Sequence, residues 1–61
     1  MEKRYETSVY KVGQLQDEAP LFDCEIANVA ITDNERAEFV AIGEPELLKD
    51  LFSKCGFDGD V

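Results

Sequence analysis

One segment constrains the fold more than any other. Between Pro45 and Gly56, the residues Leu47, Leu48, Leu51, Phe52 and Cys55 fall at i, i+1, i+4, i+5 and i+8, which makes one continuous apolar stripe on an α-helix. Glu46, Lys49, Asp50 and Lys54 take the other side. Proline suits the first helical position, where its missing N–H loses no bond and its φ is already set. Gly56 stands where a left-handed cap ends a helix, and Phe57 is placed to fold back on Phe52, as that motif favours. Glu44 and Glu46 sit where the helix dipole stabilises acids. Such a helix needs a surface to bury its stripe against. In a chain of 61 residues, that surface is small, because a domain this size buries only ~60% of what its unfolded form exposes.

The rest of the chain reads as strands. Arg4 to Val12 is the first, because Tyr5, Thr7, Val9, Tyr10 and Val12 are β-formers with imperfect polar alternation. Gly13 to Pro20 reads as a loop, with turn residues at both ends and two adjacent acids. Leu21 to Ile26 is the second strand, with Phe22, Cys24 and Ile26 on one face and Asp23 and Glu25 on the other. The phase then reverses at Val29 and Ile31. Either a bulge near Ala27–Asn28 re-aims the chain or both faces are covered there. Thr32 to Arg36 supplies a turn, and Ala37 to Ile42 a third strand antiparallel to the second. The expected architecture is α+β, a single domain over 1–61: a three-stranded antiparallel sheet in the order 1-2-3, then one C-terminal amphipathic helix (β-β-β-α). Asp58 to Val61 is expected to fray.

The third strand carries Phe39 and Ala41 one way and Val40 and Ile42 the other, so it reads as apolar on both faces. One helix cannot cover both. A small domain often completes its core by oligomerising. A homodimer, by stacked sheets or joined edges, is therefore expected, with Tyr10, Val12, Val29 and Phe39 as its interface.

Charge narrows the partners. The chain holds 14 Asp+Glu against 6 Lys+Arg with no histidine, a formal net charge of −8. Residues 1–11 hold Lys3, Arg4 and Lys11 against Glu2 and Glu6, a net of +1, so the remainder carries −9. Phosphate backbones would repel it, which argues against nucleic acid and anionic membranes. A basic protein surface would attract it. Solubility alone is the simpler use of such charge. No apolar run approaches a membrane span, and the start does not resemble a secretory signal. A cytoplasmic location is expected, where Cys24 and Cys55 would remain buried thiols. A single bridge between them is the alternative.

Little in the sequence could carry catalysis. Histidine is absent, the four glycines are isolated, and no phosphate loop or metal-ligand spacing appears. No cofactor is expected. What remains is the acids: Asp17, Glu18, Asp23 and Glu25 lie close in sequence, as do Asp33, Glu35 and Glu38. Same-face carboxylates on a strand stand roughly 6.6–6.8 Å apart, and a row of them could engage a groove shaped for phosphates. In size and acidity the chain resembles small phage- or plasmid-encoded inhibitors of host nucleic-acid enzymes, including anti-CRISPR and DNA-mimic proteins. That likeness is one of type and carries over no residue roles. The expected function is a non-catalytic acidic module that occludes a basic nucleic-acid-binding surface. The alternative is a small homodimeric accessory protein with an apolar interface.

Overall fold

The first strand ends where a serine turns the chain into a helix. In the computed structural model, which describes residues 1–61, β1 runs Glu2–Ser8 and α1 runs Val9–Glu18. The Ser8 hydroxyl accepts the Lys11 N–H at 3.1 Å, satisfying one of the orphan donors of the first turn. Val12, Leu15 and Ala19 then fall at i, i+3 and i+7, and all three are buried. This overturns two expectations. Val9 to Val12 is helix despite its β-forming residues, and Gly13 to Glu18 is its continuation, not a loop. Amphipathic burial outweighs local propensity here.

A short 3₁₀ turn, Ala19–Phe22, follows and ends on Asp23 in the left-handed conformation (φ 57°). The second strand is therefore displaced from Leu21–Ile26. As β2 it runs Glu25–Asp33, and β3 follows at Arg36–Ile42. The bulge is where the phase reversal placed it: Asn28 has φ 53°, and the register slips between Ala27 and Ala30.

The sheet order is β1-β3-β2, with β3 antiparallel to both neighbours. The sequential order 1-2-3 fails because α1 stands between β1 and β2. Those two strands are consequently parallel, and parallel strands need a crossover, not a hairpin. Only β3 can return by a tight turn, and it fills the gap.

Both helices lie on one face of the sheet. Ala37, Phe39 and Ala41 of β3 meet Val12, Leu15 and Ala19 of the first helix and Leu48, Leu51, Phe52 and Cys55 of α2, Pro45–Cys55. Val12 and Phe39 are thus core, not dimer interface. Their apolar character is spent on two helices where one was expected. Tyr10 and Val29 are both exposed.

The second helix ends as its sequence indicates. Gly56 is left-handed (φ 68°), its N–H reaches the Ser53 carbonyl, and the Phe57 N–H reaches that of Phe52. The Phe52 and Phe57 rings meet edge-on at 4.9 Å, the apolar contact that accompanies this cap. The Lys11 ammonium also donates to the Cys55 carbonyl, placing a cation at the negative end of the helix dipole.

Residues 58–61 have no regular secondary structure but are tied down. The Asp60 carbonyl accepts from the Tyr5 hydroxyl and the Lys3 ammonium, each at 2.8 Å. Tyr5 stacks on Phe39 and meets Phe52 and Phe57 edge-on. Gly59 passes so near these rings that a Cβ there would come within 2.4 Å of Phe57.

Candidate partner-binding surface

The face of the sheet away from the helices is set by register. Side chains opposite one another across a ladder share a face, so Glu2, Ile42 and Glu25 form one cross-strand row on the open face. The next rows on that face are Arg4, Val40 and Ala27, then Glu6, Glu38 and Ala30. Val40 is only 8% exposed although no helix covers it, so little of its own apolar surface is open.

Glu6 and Glu38 stand directly opposite, an unfavourable pairing by itself. Two arginines relieve it on the diagonals. Arg4 reaches Glu38 at 3.3 Å and Arg36 reaches Glu6 at 3.4 Å. Glu6 also accepts the Thr32 hydroxyl at 2.7 Å. The pairs are exposed, so each stabilises the fold by roughly 0–1 kcal/mol.

The predicted acids do not form one row. Asp17 and Glu18 close the first helix, Asp23 caps the 3₁₀ turn, and Glu25 opens β2. Asp33 and Glu35 lie at the hairpin turn, where the Asp33 carboxylate accepts the Asn34 N–H at 2.7 Å. Glu25 and Asp33 are at opposite ends of β2, roughly 26 Å apart at ordinary strand rise. Glu38 lies between them and is held by Arg4. The structure instead joins Glu25 to Glu2, on the far side of Ile42. Glu2 lies outside the strand expected from Arg4 to Val12, and Glu6 lies within it, in the net-positive stretch 1–11 and apart from both acidic groups. The alternation Glu2, Arg4, Glu6 was the available signal.

Cations are mostly committed within the molecule. Lys3 and Lys11 donate to backbone carbonyls, and Arg4 and Arg36 to the two glutamates. Of the 14 acidic side chains, only Glu6 and Glu38 have a cation within ion-pair distance, which leaves twelve without one.

Other chemistry is sparse. No three His, Cys, Asp or Glu side chains converge as metal ligands would. Both cysteines are free. Burial pushes the Cys24 thiol up, helped by Asp23. Burial and Glu18 raise Cys55 against the pull of Lys11 and Lys54. Neither is poised as a thiolate. The largest hollow, about 520 Å³, is an open depression between the second helix and the tail, with Lys49, Ser53 and Asp58 on its wall. No helix is long and apolar enough to cross a membrane. Comparison with family models, curated proteins and solved structures found no match.

Proposed function

We propose that this chain is a non-catalytic acidic binding module that captures a basic protein surface and occludes it, in the manner of a nucleic-acid mimic. The supporting observation is the separation of charge: twelve carboxylates without a cation, while four of the six cations are engaged elsewhere. Such a surface exerts its field outward and speeds capture of a basic partner. Glu2 and Glu25, flanking Ile42, with Asp23 and Glu44 at the same end, form the contact. A groove built for phosphates suits carboxylates about two strands apart, roughly 9–10 Å.

The test begins with a pull-down that names the partner. Its affinity is then measured at two salt concentrations for Glu2→Lys with Glu25→Lys, beside Asp58→Lys. Asp23 is a poorer site to vary, since its left-handed backbone would strain a lysine. Loss of binding and of salt dependence in the first variant alone supports the proposal. Normal binding by that variant, or affinity indifferent to salt, sinks it.

A second reading is an accessory protein whose charge serves solubility and whose apolar surface joins copies. Leu21 at 78% and Ile31 at 63% exposure favour it. Partner capture that resists salt would bring it forward.

A further inference from the structure

The two outer strands of the sheet are unlike. On β2 the register slips twice, and the left-handed Asn28 kinks the strand. Bulges of this kind spoil an edge for pairing with another chain. Its ends, Glu25 and Asp33, would also face one another across an antiparallel pairing of two copies. The other outer strand, β1, pairs with β3 over seven unbroken rungs, Glu2↔Ile42 to Ser8↔Arg36, and holds no proline.

The bonds at its ends fix which groups point outward. Met1 and Gly43 exchange both backbone bonds, at 2.9 and 3.0 Å, and the Val9 N–H donates to Glu35 at 2.9 Å. Bonded and non-bonded pairs alternate along an antiparallel ladder. Odd-numbered residues of β1 therefore bond to β3, while Glu2, Arg4 and Glu6 turn their N–H and C=O to the free edge. None of these takes part in the backbone bonds made outside helices and strands.

We infer that a second copy of this chain pairs antiparallel with the β1 edge, its two-fold axis at Tyr5, to make one continuous six-stranded sheet. Charge selects the register. Centred on Tyr5, Arg4 of each copy faces Glu6 of the other, twice over. Moved by one rung to either side, the pairing sets Arg4 on Arg4 or Glu6 on Glu6. Centred on Lys3, it joins Arg4 to Glu2 but gives up much of the ladder. The side chains have room for the new pairs, since Arg4 is 68% and Glu6 43% exposed within their present ones. Guanidinium has five donors, so Arg36, Glu6, Arg4 and Glu38 would alternate in sign across the junction. The site also lowers the repulsion between two acidic chains, because residues 1–11 carry a net +1 while the remainder carries −9.

The inference is independent of the acidic-surface proposal, and its test uses the purified full chain with no partner present. Mass is measured by sedimentation across a concentration series for the native chain, Arg4→Glu, Glu6→Arg, and an equal mixture of the two variants. Each variant sets like charges opposite in its own dimer, which should weaken self-association about tenfold or more. The mixture restores both opposite-sign contacts and should recover the dimer. A native chain that stays at 6.9 kDa at high micromolar concentration overturns the inference. So do variants that dimerise like the native chain, which would place the contact elsewhere, or a mixture that stays monomeric. Recovery in the mixture also shows that both variants are folded.

Discussion

Gly13→Ala should make this protein more stable. Gly13 lies in the middle of the first helix, and a Cβ built there meets nothing within 4 Å. The new methyl therefore creates no clash and gains no burial. What changes is the unfolded chain, which loses glycine's extra freedom, and the helix propensity at that position. The two together are worth about 0.5–1 kcal/mol for glycine against alanine in a helix interior. In a domain of this size, that corresponds to a rise in melting temperature of about 2–8 °C. Circular dichroism melts at one fixed chain concentration would show it, fixed because self-association also shifts the transition. Urea unfolding should give a higher midpoint at unchanged slope. An unchanged or lower melting temperature would mean that Gly13 is not in open helix, and would return residues 13–18 to the loop their sequence suggests.

The same substitution at Gly59 should act in the opposite direction, since its Cβ would lie 2.4 Å from Phe57 and 3.0 Å from Phe52. A loss of about 1–3 kcal/mol is expected from such overpacking, and a melt matching the native chain would show that the tail does not pack on these rings. Alkali should also destabilise the fold. Cys24 and Cys55 hold their protons longer folded than unfolded, chiefly through burial, and so does Tyr5, with Asp60 adding to it. That stability is complete below the ordinary thiol value, about 8.5, and falls as pH rises through the raised folded values. Urea midpoints should therefore drop on the alkaline side, and midpoints flat through that range would contradict the burial of these groups.

What the sequence made legible was whatever depends on near neighbours. The second helix, its proline start, its glycine cap and the Phe52–Phe57 contact all lie within thirteen residues and came through intact. The antiparallel pairing of the second and third strands also holds, although the second strand begins at Glu25 and not at Leu21. The bulge is one of the two alternatives that the phase reversal leaves open. The first helix did not come through, although Ser8 and the spacing of Val12, Leu15 and Ala19 were present. Val9, Tyr10 and Val12 favour strands, Gly13 favours turns, and the stripe persuades only once a sheet exists to receive it. The strand order was lost with that helix. The site suffered in the same way: of the acids grouped by sequence, Asp17 and Glu18 close the first helix while Glu25 opens β2. Glu2 and Glu25, far apart in sequence, were brought into one row by β3.

The position of β3 between its neighbours orders events in time. It is the last of the three strands to be synthesised, yet both others depend on it for every rung they make. The hairpin with β2 closes locally and can form as soon as β3 emerges. Pairing with β1 must close a much longer loop, with Arg4 and Glu38 34 positions apart, at a greater entropic penalty. The amino-terminal strand therefore waits, with both its edges open, until nearly two-thirds of the chain exists. Folding should be slower than in a helical chain of equal length, with the hairpin and the second helix assembling first and β1 docking last.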